Sequence, residues 1–418
     1  MSQEQSQERE FDVIFWGASG FTGQLVLDYL VKQYGVGKTL KWAIAGRNEE
    51  KLSRCAKDAA GDLASEITII IADSNDVASM ESLVKRTKVI CTTVGPYAMY
   101  GSHMVEACVN HGTHCCDLTG EVQWMRKMID AHQTAAENSG ARIVHTCGFD
   151  SIPSDLGVYF LQNLMQERHQ SAASEVKFRV AKVAGGMSGG TVASMMNMME
   201  EMKVEPELSQ VLADPYALNP RNLPQGKDKN DQAGAIYDED AQQWTAPFVM
   251  AAINTRVVRR TNALLNNQYG EDFRYSESMF TGRGPSGFIK ASMISMVSGL
   301  FMLLAYFAPT RSLLKRVVPA PGEGPSPEDI EKGFFNIELF GRHPEDATKN
   351  MRVLVTGDKD PGYGATSKML VESAVCLAQD DLDVAGGFWT PASAMGSTLI
   401  KRLQANAGMT FEIKSSGI

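Results

Sequence analysis

The stretch "FWGASGFTGQ", residues 15–24, carries three glycines with two residues between successive ones. An aromatic and β-branched run, residues 11–16, precedes it and predicts a buried strand, while helical apolar spacing over residues 21–34 predicts a helix. A strand-to-helix turn of this kind presents backbone amides and a helix N-terminus to a phosphate. We therefore predict a dinucleotide site, the alternative being an ordinary turn rich in small residues. The residues expected to contact the dinucleotide here are Gly17, Ala18, Ser19, Gly20, Phe21, Thr22 and Gly23.

The end of the second predicted strand, residues 41–45, indicates which dinucleotide binds. An NAD site has a carboxylate here for the ribose 2′-OH, whereas an NADP site has a cation for the 2′-phosphate. This sequence has Arg47 and Asn48 at that point and no carboxylate. Arg47 can bind a phosphate through two N–H groups, and Asn48 can add a donor. We predict NADP(H), the alternative being that Arg47 is a solvated turn residue.

Strands and helices continue to alternate through the first 150 residues. The predicted strands are 67–72 and 88–94, and the predicted helices are 49–60 and 77–86. This alternation indicates an α/β fold with a Rossmann-type, doubly wound parallel sheet. Because ligands lie at the carboxyl ends of such strands, Asp73 is expected beside the adenine and Gly95 with Pro96 beside the nicotinamide. The alternative role for Asp73 is that of a helix N-cap.

Composition limits the other function classes. The chain has 418 residues, of which 44% are hydrophobic, so it is long enough for two or three domains. Its net charge of −9 argues against a nucleic-acid partner. Seven cysteines do not form a secreted disulfide framework, and the N-terminal residues 1–10 form a polar tail rather than a signal sequence. We therefore expect a reducing, cytoplasmic location.

Five blocks in the first 160 residues carry a family resemblance: "FWGASGFTG", "AIAGRNEEKL", "VGPYAMYG", "CDLTGE" and "GFDSIPSDLG". In this order they resemble the saccharopine dehydrogenase-like oxidoreductases, a family that includes bacterial proteins named trans-acting enoyl reductases. The resemblance implies an NADP(H)-binding Rossmann domain at 11–150 and a second α+β domain, built on a mixed sheet, at 151–380. It implies that 381–418 pack back on the first domain. It also implies membrane or lipid association, and places the substrate and a homodimer contact in the second domain.

The proton donor is harder to assign than the cofactor. Short-chain reductases use a Tyr-x-x-x-Lys pair, and the pair here, Tyr34 with Lys38, ends the first predicted helix, on the wrong side of the cofactor. We predict Tyr97 or Ser151 as the donor, the alternatives being a packed aromatic ring and a helix cap. The other candidates near these blocks are Tyr100, His103, Asp117, Glu121, Asp150 and Asp155. An apolar wall for a substrate chain is expected from Met195, Met196 and Met199.

Two further segments are predicted to have structural roles rather than catalytic ones. The run "HGTHCCD", residues 111–117, has metal-binding residue types but no downstream partner pair, so we predict no metal and assign Cys115 and Cys116 to packing on opposite faces of a strand. Residues 206–243 are rich in Pro, Asn, Lys and Asp and predict a solvated, mobile loop.

Residues 291–310, "ASMISMVSGLFMLLAYFAPT", contain no charge. Cations bracket the run: Lys290, Arg311, Lys315 and Arg316. A single crossing of a membrane would separate the two halves of the family pattern, so we favour an interfacial anchor whose cations meet anionic headgroups. The alternative is a buried core helix.

Three function classes follow. The leading one is an NADPH-dependent reductase of a lipid-like or polyketide-like acyl substrate at a membrane surface. The second is an amino-acid dehydrogenase of saccharopine type, which would need cations for several carboxylates and has Arg256, Arg259 and Arg260 to offer. The third is a lipid-surface scaffold that binds NADP(H) without turnover.

Overall fold

Two seven-stranded sheets organise the computed structural model, which describes residues 8–186, 189–314 and 324–416. In the first sheet every pair is parallel, in the order β13-β6-β5-β4-β1-β2-β3. Its strands are β1 (Phe11–Trp16), β2 (Trp42–Gly46), β3 (Thr68–Ile71), β4 (Thr87–Thr92), β5 (His114–Asp117), β6 (Arg142–Val144) and β13 (Gly387–Trp389). This order confirms the Rossmann-type sheet.

The second sheet is mixed, as predicted. Strands β7 and β10 are parallel, all other pairs are antiparallel, and the order is β14-β12-β11-β7-β10-β9-β8. Its strands are β7 (Glu175–Ala184), β8 (Ile236–Asp238), β9 (Gln243–Pro247), β10 (Arg274–Gly282), β11 (Phe334–Arg342), β12 (Met351–Gly357) and β14 (Met409–Ser416).

Helices cover both faces of the first sheet, because its strands are apolar on both sides. The six helices of this part of the chain are α1 (Phe21–Tyr34), α2 (Glu49–Ala60), α3 (Val77–Val84), α4 (Tyr97–Tyr100), α5 (Ser102–Asn110) and α6 (Val122–Ser139). The helices that follow are α7 (Ile152–His169), α8 (Gly189–Val204), α9 (Leu208–Ala213), α10 (Ala251–Leu264), α11 (Gly284–Tyr306), α12 (Ala308–Leu314), α13 (Pro327–Lys332), α14 (Thr366–Gln379) and α15 (Pro391–Asn406).

The hydrophobic core is continuous between the sheets. Phe15 of the first sheet, Met369 of α14 and Phe335 of the second sheet belong to one buried cluster. A second cluster fills the other face of the first sheet, beneath α3, α5 and α6. The two sheets therefore share a core.

The predicted domain boundary at residue 380 stays a prediction, and elements on both sides of it contact both sheets. Helix α14 lies before that residue but packs against α1, β4 and β5 of the first domain. Strand β13 extends the first sheet beside β6, whereas β14 pairs with β12 in the second. Segment 381–418 thus contributes to both sheets, while residues 417–418 lie outside the described part.

The polar tail and the predicted loop 206–243 both contact the rest of the fold. Of the polar tail 1–10, residues 1–7 lie outside the described residues, but Arg9 donates to the carbonyls of Val84 (2.9 Å) and His111 (2.6 Å). Within 206–243, the side chain of Leu218 is fully buried. Most other residues of 206–243 are exposed or half-buried, and buried arginines elsewhere in the chain bind the backbone of this segment, as described below. The mobility of this loop stays a prediction.

Candidate active site

The glycine turn between β1 and α1 is too tight for larger residues at two of its three glycines. Gly17 has φ of +109°, and a Cβ there would lie 2.7 Å from Thr93 Oγ1. A Cβ on Gly23 would lie 2.0 Å from the carbonyl oxygen of Gly17. At Gly20, by contrast, a Cβ would have only an ordinary contact of 3.5 Å with that oxygen. The turn is therefore packed on the sheet side and open at Gly20.

The N-terminus of α1 has the donors that a pyrophosphate needs. Gly20 is the N-cap residue and supplies no side-chain cap. The amides of Phe21, Thr22 and Gly23 donate to no acceptor among the described residues. Unpaired first-turn amides and the helix dipole favour an anion. The residues present thus fit the phosphates of a dinucleotide.

Arg47 follows the last residue of β2 and is exposed, and its guanidinium has no hydrogen bond or ion pair within the described ranges. Asn48 is the N-cap of α2, and its Oδ1 accepts a hydrogen bond from the amide of Lys51 at 2.8 Å. That cap uses the side-chain oxygen and leaves the amide NH₂ as a donor. Arg47 is therefore the charged group at this strand end that is free to meet a 2′-phosphate.

Asp73 does not cap a helix. Its Oδ1 accepts a hydrogen bond from the amide of Asn75 at 3.0 Å, and the N-cap of α3 is Asp76. The alternative role that we gave Asp73 was wrong, and its contact with the adenine stays a prediction.

A second segment closes over the glycine turn. The ring of Tyr363 packs edge-on against Phe21, with centroids 4.7 Å apart. Asp360 accepts hydrogen bonds from the amides of Gly186 (3.1 Å) and Tyr363 (2.8 Å), which ties this segment to the end of β7.

Glu121 organises the turn after β4. Its two carboxylate oxygens accept hydrogen bonds from the amides of Tyr97 (2.9 Å) and Ala98 (2.8 Å), and the hydroxyl of Ser194 adds a third at 2.8 Å. Burial raises the pKa of Glu121, and these donors oppose that shift. The carboxylate thereby holds the segment that follows Gly95 and Pro96 in place at the carboxyl edge of the sheet.

Neither predicted proton donor has a free hydroxyl. The Tyr97 hydroxyl is buried, donates to the Thr92 carbonyl (3.2 Å) and accepts from the Leu118 amide (3.1 Å). Ser151 is fully buried and donates to Oδ1 of Asn254 at 3.2 Å. Burial also raises the pKa of Tyr97 well above its ordinary value. The two hydroxyl protons are thus used inside the protein.

A buried pair at the ends of β5 and β6 was not found from the sequence. Nδ1 of His145 lies 2.6 Å from Oδ2 of Asp117, and both side chains are almost fully buried. Oδ1 of Asp117 accepts from the Thr119 amide at 3.0 Å, so the pair shapes the turn after β5. Only the nearby block "CDLTGE" drew attention to Asp117, and nothing in the sequence marked His145.

Comparison with known proteins assigns the family. Residues 13–144 match the family described as the saccharopine dehydrogenase NADP binding domain. A Mycobacterium ulcerans protein named trans-acting enoyl reductase is 37% identical, over 95% of this chain and 96% of its own length. A Mycobacterium tuberculosis protein of the same name is 36% identical over the same shares. The chain belongs to the saccharopine dehydrogenase-like oxidoreductases.

Membership of the saccharopine dehydrogenase-like family also agrees with the fold. The solved structure of apo saccharopine dehydrogenase (L-Glu forming) from Saccharomyces cerevisiae superposes with a TM-score of 0.53 at 12% identity, covering 96% of this chain and 99% of that one. The chain is an NADP-dependent oxidoreductase, and NADP(H) is its cofactor.

The three arginines of α10 are bound inside the protein. Arg256 pairs with Asp231 and donates to the Leu212 carbonyl. Arg259 pairs with Asp228 at 2.8 Å and donates to the Pro215 carbonyl at 3.0 Å. Their partners lie in 206–243, so these residues hold that segment down.

Arg260 completes this arrangement without a carboxylate. It donates to the carbonyl of Leu218 and, at 2.7 Å, to that of Phe388. Burial is the main cause that lowers its pKa, to about 9. The three arginines therefore form no cationic cluster for a substrate with several carboxylates.

Residues of "HGTHCCD" bond to or pack within the first sheet. Nδ1 of His114 accepts a hydrogen bond from the Arg142 amide at 3.1 Å. Cys115 and Cys116 lie in different core clusters, on opposite faces of β5. In the described part of the chain no three His, Cys, Asp or Glu side chains are grouped as a metal site would require.

Helix α11 projects its apolar side chains into solvent. It is the one helix in the described ranges long and apolar enough to cross a membrane, with a mean hydropathy of 1.8. Only Gly287, Ala291 and Ala305 of its 23 residues are buried. The large apolar residues exposed on α11 are Phe288, Ile289, Met293, Met296, Val297, Leu300, Met302, Leu303 and Tyr306. The alternative of a buried core helix for 291–310 was wrong.

Helix α8 connects this apolar helix to the cofactor edge. Met196 and Met199 are buried with Ala305 of α11, in a small cluster that Phe301 joins. Met195 is half-buried. From the same helix, Ser194 reaches Glu121. Met196 and Met199 therefore pack α8 on α11.

Arg311 is not available for lipid headgroups. It is buried, lies 3.3 Å from Glu200 and donates to the Ala305 carbonyl at 3.4 Å. Lys290 is exposed, whereas Lys315 and Arg316 lie outside the described residues.

Proposed function

We propose that this oxidoreductase is an NADPH-dependent reductase of an enoyl group on a lipid-like or polyketide-like acyl chain, and that it works at the cytoplasmic surface of a membrane. The observation that carries this proposal is α11, whose exposed apolar surface lies one helix away from the cofactor edge. The names of its relatives, trans-acting enoyl reductases, supply the reaction class.

Bound NADPH supplies a hydride for the β-carbon of an enoyl group. The chain binds the phosphates through the amides that follow Gly20 and selects the 2′-phosphate through Arg47. Glu121 holds the Gly95–Pro96 segment against which the reacting carbons would lie. The ring of Tyr363 packs against Phe21 at the start of α1 and so fixes one side of the glycine turn.

The membrane part of the proposal follows from geometry. A helix with apolar residues around its circumference buries that surface most simply in lipid. Strands β10 and β11, which precede and follow α11 in the chain, lie in one sheet on either side of β7. A single crossing would pull these strands apart, so α11 is proposed to lie in one leaflet.

The reaction is tested by following NADPH oxidation with enoyl thioesters of short and long chains, in parallel with saccharopine. We expect turnover of the long-chain enoyl thioesters alone. Efficient turnover of saccharopine would establish the amino-acid dehydrogenase instead. Tight NADPH binding without turnover of either class would favour the scaffold. The homodimer stays a prediction.

The membrane surface is tested by flotation with anionic vesicles. Replacing Met296, Val297 and Leu303 of α11, each more than half exposed, with serine should abolish flotation. The matched control replaces exposed apolar residues elsewhere, namely Leu63, Val204 and Val249, with serine. Both triple variants should bind NADPH normally. Equal flotation of the two variants would overturn the lipid contact.

A further inference from the structure

The turn after β6 places a carboxyl group beside the turn after β5. Asp150 immediately precedes Ser151, the N-cap of α7. A Cβ built on Gly120 would lie 3.8 Å from Oδ1 of Asp150 and would have no other atom within 4 Å. Because β4, β5 and β6 are parallel neighbours, both turns lie on the edge that carries Gly95 and Pro96. Gly120 therefore places no side chain of its own against the Asp150 carboxyl, at the edge of the sheet that carries Gly95 and Pro96.

Asp150 differs from the other carboxyls near this edge in that, among the described residues, only its own backbone amide hydrogen-bonds to it. Asp117 is bound to His145, and Glu121 accepts three hydrogen bonds. Asp155 accepts from the Thr261 hydroxyl and, at 2.8 Å, from the Ala392 amide. The half-buried Asp150 side chain makes no ion pair, and no hydrogen bond to another residue, within the described ranges. A proton on the Asp150 carboxyl is thus not donated to another described residue.

We propose that Asp150 is the proton donor of the reduction. The proposal rests on the proposed enoyl reduction and replaces Tyr97 and Ser151, whose hydroxyl protons are already used. As a hydride adds to the β-carbon of the enoyl thioester, the carbon–carbon π electrons move to the α-carbon. The α-carbon then takes the proton of the Asp150 carboxyl. The products are the saturated thioester, NADP⁺ and the Asp150 carboxylate, which regains a proton from water.

The electrostatic surroundings suit a group that is protonated near neutrality. Burial and the nearby charge of Asp117 raise the pKa of Asp150 to about 7. Tyr97 of α4 is the other titratable neighbour, and the charge of Asp150 in turn raises its pKa. His145 is engaged with Asp117. A general acid is most effective when its pKa lies near the working pH.

The first test is kinetic. Asp150→Asn should lower kcat for a long-chain enoyl thioester by at least about 100-fold, the range of a general acid, and change the Kd for NADPH less than about twofold. Asp150→Glu should recover part of the rate. In the native enzyme kcat should fall as pH rises through about 7, and this limb should vanish in Asp150→Asn. The matched control is Asp381→Asn, an exposed aspartate.

The second test needs no turnover. Infrared titration of the free protein should show protonated carboxyl absorption that is lost near pH 7, and the difference between native protein and Asp150→Asn isolates the Asp150 contribution. That difference is required because the pKa values of Asp155 and Glu277 are also raised to about 7. A folded Asp150→Asn variant that keeps its rate within threefold, or keeps the pH limb, overturns the inference. If native enzyme reduces no enoyl thioester, the proposed function fails instead, and the infrared result still decides whether Asp150 carries a proton.

Discussion

The glycine turn and helix α10 differ in whether their hydrogen-bond donors have partners within the protein. Three amides at the turn, and the guanidinium of Arg47 after β2, have no protein partner among the described residues. In α10, Arg259 is 4% exposed and binds one carboxylate and two carbonyls. The turn therefore has unpaired donors, whereas the Arg259 guanidinium in α10 has three acceptors.

This difference distinguishes donors that are available to a ligand from donors that hold the fold together. Unpaired donors on a surface cost little while water solvates them, and a phosphate can replace that water. Buried donors must find partners within the fold, since an unpaired buried charge costs several kcal/mol. A cluster of arginines in a sequence can therefore mark either kind of region.

The largest expected effect lies in α10. Arg259→Met should lower the free energy of unfolding by about 3–5 kcal/mol, because the buried carboxylate of Asp228 would lose its partner. Denaturant unfolding measures this change. Arg47→Met is the matched control and should leave stability unchanged within about 0.5 kcal/mol. Similar losses in both variants would break the contrast.

The next effect concerns the glycine turn itself. Gly23→Ala should destabilise the protein by about 1–3 kcal/mol, since its Cβ would meet the Gly17 carbonyl and force the turn open. Thermal unfolding and NADPH titration should both show the loss. The same methyl group at Gly20 has space and should cost less than about 1 kcal/mol. Equal stabilities of the two variants would show that the turn is not tight.

Cofactor choice should depend on Arg47. Native protein should bind NADPH at least about tenfold more tightly than NADH, a difference of about 1.4 kcal/mol, and Arg47→Asp should remove the preference. Nicotinamide fluorescence measures both affinities. Arg260→Lys, a change at a buried residue of α10, should not alter the ratio of the NADPH and NADH affinities. Equal native affinities for the two cofactors would refute the role of Arg47.

The smallest effect is a pH dependence of stability around α10. Glu277, hydrogen-bonded to Asn254 of α10, has its pKa raised by burial from 4.5 to about 7. The folded state therefore binds its proton more tightly than the unfolded state, and stability falls as pH rises from about 4.5 through 7. Between pH 6 and pH 8 this group should contribute about 1 kcal/mol.

Glu277→Gln provides the comparison for that pH effect. Denaturant unfolding at pH 6 and pH 8 should show a smaller change in the variant than in native protein. Asp155 and Asp150 keep their share of the change, because their pKa values are also raised to about 7. An unaltered pH dependence in Glu277→Gln would contradict a proton on Glu277.

Local sequence patterns predicted the elements that carry the cofactor. Helices α1 and α2 begin and end at the predicted residues, and β1 spans 11–16 as expected. These elements are short-range units, in which periodicity, N-caps and glycines act within one turn of chain. The family resemblance, rather than a local pattern, predicted the mixed second sheet.

Features that depend on distant residues were not predicted. The His145–Asp117 pair joins two strands, and the arginines of α10 reach carbonyls more than 40 residues away in the chain. The polar composition of 206–243 agrees with its many exposed residues, but it could not show that arginines of α10 bind the backbone of this segment. The same holds for the Tyr97 hydroxyl, because the amide and the carbonyl that bind it belong to two different strand ends.

Strands β13 and β14 have a consequence for synthesis of the protein. They complete the two sheets at β6 and at β12, so a nascent chain lacking residues 387–416 has two unpaired strand edges. Open edges recruit other strands and promote aggregation. At about 5–20 residues per second, the ribosome spends several seconds between translating β12 and β14. During that interval the edges of β6 and β12 are open to pairing with strands of other chains. In the complete protein β13 and β14 occupy these two edges.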